Sequence, residues 1–216
     1  MKHFVITIID NDQSHMAADK CVKSGKKFGL DIDYYQAFTP TTCFDFISEH
    51  KINTENFANS KYSREHNCIA AFCSHLSLWM YSAESNEEIT IFEHDAIIMN
   101  NIPTIDHNGC ISLGKPSYGK FNTPSLLGRN RLISKPYFPG AHAYRVKPNA
   151  AKVLVDAGIT RGAPTDIFLN IENFPFLEEY YPWPVEVRET FSTIQSHNGC
   201  LAKHMYNENY VIEEVL

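Results

Sequence analysis

The start of the chain alternates between apolar and polar stretches in a way that predicts a strand, a helix and a second strand. Residues 3–9 form a continuous apolar, β-branched run, which is typical of a strand buried on both faces. Residues 15–28 predict a helix that Ser14 caps and Gly29 ends. Residues 32–38 predict the second strand. This order and spacing indicate a βαβ unit with two parallel strands and a right-handed crossover.

Helical periodicity dominates the next part of the chain. A polar stretch follows the second strand and contains a possible short helix at residues 43–50. Residues 65–83 then predict a longer helix. Its buried face would consist of apolar residues at helical spacing, namely Ile69, Phe72, Leu76, Trp79 and Met80. A short apolar strand at residues 89–92 follows.

The second half of the chain predicts three more strands, at residues 109–114, 140–146 and 185–187. Between the first two, residues 115–139 predict a long loop. Long loops in compact domains are usually functional or disordered. The basic residues of this loop leave two interpretations open: a mobile flap over a phosphorylated ligand, or a plain solvated loop.

Two helices are predicted near the end of this half. Pro148 lies in the first turn of one helix, and Gly158 is expected to end it. Thr165 or Asp166 is placed to cap the short apolar pattern of residues 167–169.

An acidic motif directly follows the strand at residues 89–92. Glu93, His94 and Asp95 continue the chain where that strand ends. Charges there are costly to desolvate unless something binds them, and α/β proteins bind ligands at the carboxyl ends of strands. Two carboxylates at positions i and i+2 suit a hard divalent cation that also holds a phosphate. The alternative is a solvated turn, or a helix N-cap before Ala96.

Composition bounds the class of protein. The chain has 216 residues, 20% of them charged and 44% hydrophobic, as expected for one α/β domain over residues 1–216. Its formal net charge of −6 argues against a broad basic surface for nucleic acid, although a local patch would still be compatible with it. Neither a G-x-G-x-x-G nor a P-loop motif occurs, so dinucleotide-binding and P-loop functions have little support.

The six cysteines are scattered without a C-x-x-C pair, which predicts buried free thiols rather than a zinc site or a disulfide framework. No stretch approaches 18 apolar residues, and the first apolar run is too short for a signal peptide. We therefore expect a cytoplasmic protein with no membrane span.

Four pieces of the sequence together resemble glycosyltransferase family 25, the group of lipooligosaccharide and collagen galactosyltransferases. The pieces are residues 71–79 (AFCSHLSLW), 91–96 (IFEHDA), 140–144 (GAHAY), and Thr165-Asp166 followed by 191–193 (FST). The family shows an S-H-x-x-x-W helix, a strand ending in E-D-D-A, a T-H-A-Y strand, a later Asp and a terminal S-T. The resemblance covers about residues 66–196.

The sequence departs from the family pattern at four points. His94 replaces the middle acid of E-D-D, although Glu93 and Asp95 keep the register of the outer acids. Ala141 replaces the Thr of T-H-A-Y, and Asn67-Cys68 stands where the family usually has Gly-Glu. The N-terminal Asn-Leu-x-Arg-like stretch is not evident, which leaves the nucleotide and the sugar open.

The resemblance implies a GT-A fold, in which a Rossmann-like, mostly parallel sheet is flanked by helices. It also implies an inverting, metal-dependent transfer of a hexose such as galactose or glucose from a nucleotide sugar, with UDP as the expected nucleotide. Mn²⁺ or Mg²⁺ would be the cofactor. A glycan or lipid-linked glycan, as in lipopolysaccharide biosynthesis, would be the acceptor.

The same resemblance suggests roles for individual residues. Asp95, assisted by Glu93, would hold the metal ion against the donor diphosphate. A C-terminal histidine often supplies a third metal ligand in GT-A enzymes, and His197 is the first choice, with His142 and His94 as competitors for contact with the metal or donor.

Two further roles concern the donor pocket and the acceptor. Ser74 and His75 would lie near the donor pocket. They would either contact a phosphate directly or support the residues that contact the donor. An inverting displacement needs a base for the acceptor hydroxyl, and Asp166 is the candidate. A plain helix N-cap is the alternative for this aspartate.

Three other interpretations remain open at this point. The protein could be a noncatalytic nucleotide- or glycan-binding relative in which His94 marks lost metal binding. It could instead glycosylate a modified nucleic-acid base, which the negative net charge disfavours. Finally, the acidic motif could be only a turn and the resemblance accidental.

Overall fold

The computed structural model describes residues 1–58 and 64–187. Its strands are Lys2–Thr7 (β1), Asp33–Gln36 (β2), Ile89–Glu93 (β3), Ala96–Ile98 (β4), Cys110–Ser112 (β5), Gly128–Arg131 (β6), Ala143–Val146 (β7), Leu177–Tyr181 (β8) and Val185–Val187 (β9). Its helices are Asp12–Lys26 (α1), Cys43–His50 (α2), Glu65–Ser85 (α3), Pro148–Arg161 (α4) and Thr165–Phe168 (α5), with one 3-10 turn at Glu55–Phe57.

Within these ranges, seven strands form one central sheet in the order β2-β1-β3-β7-β5-β8-β6. β1 is parallel to both β2 and β3, which confirms the predicted βαβ unit. Only β7 and β6 run against the other five strands. The predicted fold class, an α/β protein with a mostly parallel central sheet flanked by helices, is confirmed. β4 and β9 form a separate antiparallel pair.

The sheet is covered on both faces, which explains the unbroken apolar run of β3. Successive side chains of a strand point to opposite faces. Ile91 accordingly belongs to the larger core, which packs against α3 and α4, whereas Phe92 belongs to the core on the α1 side. Both side chains are fully buried. A strand covered on both faces cannot show the apolar–polar alternation of a surface strand.

Two helix boundaries differ from the predictions. Asn11, not Ser14, caps α1, because the Asn11 side chain accepts a hydrogen bond from the Ser14 N–H over 2.9 Å. Ser14 instead lies buried in the first turn. Gly158 does not end α4, which continues to Arg161. A Cβ at position 158 would come within 3.0 Å of Leu76 Cδ1, so this glycine permits close packing of α4 on α3.

The segment of residues 115–139 is not a structureless loop, and that prediction was wrong. It contains the edge strand β6, which pairs with β8. Strand β8 was also missed, because its Glu178 and Glu179 look like solvent-facing residues in the sequence. Both are buried, and the Glu179 carboxylate accepts hydrogen bonds from the main-chain N–H groups of Ile133 and Ser134 over 2.7 and 2.8 Å. This carboxylate therefore fixes the end of the segment to the sheet.

The structure agrees with the prediction for the cysteines. The described cysteines are buried free thiols, as expected, and Cys200 lies outside the described ranges. Among residues 1–58 and 64–187, none of the helices has the length and apolarity needed to cross a bilayer. The assignment of residues 1–216 to a single domain stays a prediction.

Candidate functional site

A cleft opens where the parallel strands β1, β2 and β3 end. Residues 6–8 line it from β1, residues 37, 38 and 40 line it after β2, and residues 93–95 line it at the end of β3. One face of α3 forms a further wall. The cleft encloses about 640 Å³ of space, which includes open solvent. This position at the carboxyl ends of parallel strands is where open α/β sheets bind ligands.

Glu93 is the last residue of β3 and places its carboxyl group at this cleft. Its main-chain N–H donates to the His142 carbonyl over 2.9 Å, which continues the pairing of β3 with β7. Its Oε1 lies 3.2 Å from His75 Nε2 of α3, and about 25% of its side chain stays exposed. Glu93 is thus held by the sheet on one side and by α3 on the other.

A buried chain of hydrogen bonds fixes the ring of His75. Trp79 Nε1 donates to the Tyr144 hydroxyl oxygen over 2.9 Å, and that hydroxyl lies 2.7 Å from His75 Nδ1. Since the indole can only donate, the hydroxyl proton of Tyr144 is directed to Nδ1, which acts as the acceptor. The remaining ring proton is then on Nε2 and points at Glu93. His75 therefore presents an N–H donor to the carboxylate.

Burial sets the protonation of this pair. It lowers the pKa of His75 to about 3, so the imidazole is neutral. Burial also raises the pKa of Glu93 to about 8, and the negative charge of Asp166 adds to that effect. A bound cation would stabilise the charge of a carboxylate that burial and a neighbouring acid disfavour.

His94 and Asp95 form the turn between β3 and β4. His94 Nδ1 lies 2.9 Å from the Ser14 hydroxyl oxygen, which also accepts a hydrogen bond from the Ile8 N–H over 3.0 Å. The turn is thereby fastened to the end of β1. Burial raises the pKa of the Cys21 thiol on α1, and the charge of Asp95 adds to that rise. A helix N-cap before Ala96 is excluded, since Ala96 begins a strand.

Asp166 lies in the first turn of α5, whose N-cap is Pro164. Neither Thr165 nor Asp166 is therefore the cap, and that alternative was wrong. The Asp166 carboxylate instead accepts hydrogen bonds from the Tyr118 hydroxyl and, over 2.9 Å, from the Ile167 N–H. Burial raises the pKa of Asp166, while these hydrogen bonds oppose that shift. The result is a carboxylate held in place and more basic than usual.

The remaining predicted residues have different surroundings. Ser74 lines the cleft, but its hydroxyl accepts from the Phe38 N–H over 2.9 Å and donates to the Ala70 carbonyl over 3.0 Å. It therefore ties the end of β2 to α3. His142 is buried against Gly114, on the same sheet face as Glu93. His197 and residues 191–193 lie outside the described ranges.

Two side chains of the cleft have the chemistry to bind a divalent metal ion. Glu93 and Asp95 both reach the cleft, and carboxylate oxygens are the ligands that Mg²⁺ and Mn²⁺ prefer. Within the described ranges no group of three or more candidate ligands comes together. Two acids leave the other positions of an ion to outside ligands, and Mg²⁺ sites commonly take theirs from phosphate oxygens and water.

For three residues that contribute to this site, the sequence predicted no role in the site. Tyr144 belongs to the GAHAY motif, so its motif position was the available signal. Tyr118 and Ser14 act across 48 and 80 positions of sequence, on Asp166 and His94 respectively. Such long-range contacts leave no local pattern to find.

Comparisons with known proteins show structural likeness only. No family model and no curated protein matches the chain. Among solved structures, the chain is similar to a Drosophila β-1,4-galactosyltransferase 7 mutant in complex with manganese, UDP-Gal and xylobiose. The TM-score is 0.40 at 10% identity, covering 96% of this chain and 72% of that one.

A second solved structure is the CTP:phosphocholine cytidylyltransferase of Streptococcus pneumoniae. Its TM-score is 0.34 at 11% identity, with 85% of this chain and 91% of that one covered. Both scores are too low to decide fold details or chemistry.

Proposed function

We propose that this protein is a metal-dependent glycosyltransferase that uses a nucleotide sugar and inverts the configuration at the transferred carbon. The observation that supports it most is the placement of Glu93 and Asp95 at a cleft formed by the carboxyl ends of three parallel strands. A nucleotide diphosphate fits such a crevice, and the two acids fit its metal ion. We also propose that the protein is related to glycosyltransferase family 25 and that its donor is a UDP-linked hexose.

Each residue then has a defined task. Glu93 and Asp95 would hold a bound Mn²⁺ or Mg²⁺, which would supply Lewis-acid stabilisation to the leaving diphosphate. His75, with its proton on Nε2, orients the Glu93 carboxylate. Asp166 accepts the proton of the acceptor hydroxyl as that oxygen bonds to the sugar carbon and the bond to the diphosphate breaks. The raised pKa of Asp166 suits a base.

Further residues would support the metal ion and the nucleotide. His197, His142 or His94 would complete the metal site or contact the donor, and Ser74 would keep the end of β2 in place beside the nucleotide. The acceptor would be a glycan or a lipid-linked glycan.

A thermal-shift panel tests the donor and metal together. UDP, GDP, CDP, UDP-glucose and UDP-galactose are each added with Mn²⁺ or with EDTA, because a ligand that binds the native state raises its melting temperature. One uridine ligand should stabilise the protein with Mn²⁺ and lose that effect with EDTA. Asp95→Asn should abolish the metal-dependent shift, whereas Asp156→Asn, an exposed aspartate on α4, should preserve it.

Hydrolysis of the stabilising nucleotide sugar without an acceptor separates an enzyme from a binding module. Slow, Mn²⁺-dependent release of UDP is expected. Tight UDP binding with neither metal dependence nor hydrolysis would instead identify a noncatalytic nucleotide-binding protein. Full hydrolytic activity in Asp95→Asn would refute the assigned metal site.

A further inference from the structure

A cluster of one lysine and two tyrosines adjoins the candidate base. The Tyr118 hydroxyl donates to Asp166, and the ring centroids of Tyr118 and Tyr137 are 6.3 Å apart. The Lys135 ammonium lies 4.8 Å from the Tyr118 centroid and 5.3 Å from the Tyr137 centroid. All three side chains are partly exposed. The cluster is therefore accessible and touches Asp166 directly.

The backbone around this cluster is built to hold it. Gly119 has a positive φ of 67°, and a Cβ there would come within 2.8 Å of Lys135 Nζ. A glycine thus lets the lysine close over the tyrosines. The Ser117 hydroxyl donates to the Pro139 carbonyl over 3.2 Å, which joins the two ends of the segment that carries the cluster. This segment is consequently a fixed wall beside Asp166.

The ammonium of Lys135 has unused binding capacity. One of its three donors is directed to the Tyr137 hydroxyl over 3.3 Å. Of the carboxylates in residues 1–58 and 64–187, none forms an ion pair with Lys135. The aromatic faces stabilise the cation in part, but a half-buried ammonium still gains from an anion. Among the described residues, the other two N–H donors of this ammonium have no acceptor, so they can bind an anion.

The donor cleft does not include this cluster. The lining of the donor cleft comes from residues 6–95 and includes none of residues 115–139. The cluster instead contacts the proposed base, because the Tyr118 hydroxyl donates a hydrogen bond to Asp166. The charge of Asp166 contributes to the raised pKa values of both Tyr118 and Glu93. An acceptor hydroxyl must approach Asp166, so an acceptor sugar would lie against the Lys135 cluster, which contacts this carboxylate through Tyr118.

We propose that Tyr118, Lys135 and Tyr137 form an acceptor subsite that takes a sugar bearing a carboxylate or a phosphate. This inference rests on the proposed glycosyl transfer, since only a transferase needs an acceptor beside Asp166. Lys135 binds the anionic substituent, and Tyr118 holds Asp166 toward the hydroxyl that is glycosylated. Tyr118 and Lys135 are positioning and specificity residues respectively.

The test measures binding of three matched probes by ligand-observed NMR, with the protein saturated with UDP and Mn²⁺. The probes are methyl β-D-glucuronide, methyl β-D-glucoside 6-phosphate and neutral methyl β-D-glucoside. We expect one or both anionic probes to bind about tenfold more tightly than the neutral one, since charge-assisted contacts are the stronger ones. Which of the two binds identifies the substituent as carboxylate or phosphate.

Substitutions assign the preference to Lys135. Lys135→Met should remove it and leave UDP affinity unchanged, while Lys135→Arg should keep most of it. Lys120→Met, at an exposed lysine of the same segment, is the matched control and should behave as the wild type. Equal binding of all probes, binding of none, or a preference that survives in Lys135→Met would overturn the subsite.

The same samples distinguish this failure from failure of the proposed function. UDP affinity is measured with Mn²⁺ and with EDTA in each variant. Metal-dependent UDP binding without an anionic preference refutes only the subsite. UDP binding that ignores the metal refutes the transferase proposal itself, and a loss of UDP affinity in Lys135→Met would show that the lysine serves the donor.

Discussion

Two strand glutamates of this protein, Glu93 at the end of β3 and Glu179 in β8, have opposite surroundings. Glu179 is fully buried and accepts three hydrogen bonds, two from main-chain N–H groups to Oε1 and one from Trp183 Nε1 to Oε2 over 3.1 Å. Among the described residues, the side chain of Glu93 has one hydrogen-bond partner, His75, and its pKa is raised to about 8. A fully satisfied carboxylate is typical of a structural role, whereas an under-satisfied one at a cleft indicates a ligand.

The isosteric change Glu93→Gln tests most strongly whether Glu93 binds a ligand. We expect Mn²⁺-dependent turnover of the nucleotide sugar to fall by about 10²–10³, the scale seen when one preorganised electrostatic group is removed. Steady-state rates with saturating Mn²⁺ provide the measurement. Glu172→Gln, at an exposed position, is the control and should retain wild-type rates. A rate within twofold of wild type in Glu93→Gln would contradict the assigned role.

The same variant should gain stability in the absence of metal. Burial raises the pKa of Glu93 from 4.5 to about 8 in the native state, so between these pH values the unfolded state ionises while the native state stays protonated, and the native state loses stability as the pH rises. Glu93→Gln removes this penalty. Urea unfolding in EDTA should show that the variant's advantage grows with pH across that range. An advantage that is absent or shrinks with pH would refute the shift.

Glu179→Ala should act on stability instead. Three donors, one of them buried and two partly buried, would lose their acceptor, and we expect the free energy of unfolding to fall by about 3 kcal/mol. Glu179→Gln keeps an oxygen for the N–H groups of Ile133 and Ser134 and should cost only about 1 kcal/mol. Urea denaturation of both variants measures the difference. Equal losses would show that the hydrogen bonds are not the cause.

Tyr144→Phe tests whether the buried hydrogen-bond chain prepares Glu93. Without the Tyr144 hydroxyl, His75 Nδ1 loses its donor, and the proton need no longer reside on Nε2. Groups that orient metal ligands typically contribute 10- to 100-fold in metal affinity, so Mn²⁺ should bind that much more weakly. Imidazole ¹⁵N shifts report the tautomer independently. An unchanged Nε2–H tautomer in the variant would contradict the proposed chain.

Tyr118→Phe should give the smallest effect, a change in pH dependence. The Tyr118 hydroxyl stabilises ionised Asp166, so its removal raises the pKa of Asp166 further. Because the base must be ionised, the acid limb of the kcat profile should move to higher pH, by about one unit or less. Tyr180→Phe, a β8 tyrosine, should leave that limb in place. A shift to lower pH would exclude Asp166 as the base.

Local patterns predicted much of the fold. The bounds of α2 and the start of α3 match the predictions, because apolar periodicity and turn residues act over short distances. β6 was missed because its Gly-Arg-Asn-Arg sequence is polar on an edge strand. The error at Gly158 arose because packing on α3, not a helix end, requires the glycine. Tertiary contacts override local signals in such places.

The candidate site was only partly predictable for the same reason. Glu93 and Asp95 were found because a charged pair directly follows a buried strand. The link from Trp79 through Tyr144 to His75, and the bond from Tyr118 to Asp166, join residues 48 to 69 positions apart. No spacing rule connects such residues. Only the sheet register and the packing of α3 bring them together.

The central claim is that Glu93 and Asp95 hold one metal ion against a nucleotide diphosphate. Crystals grown with UDP and Mn²⁺, measured at the manganese absorption edge, test it most directly. The account predicts one anomalous peak within ligand distance of both carboxylates and of the diphosphate. A peak elsewhere, with Glu93 still hydrogen-bonded only to His75 and Asp95 turned toward α1, would contradict it.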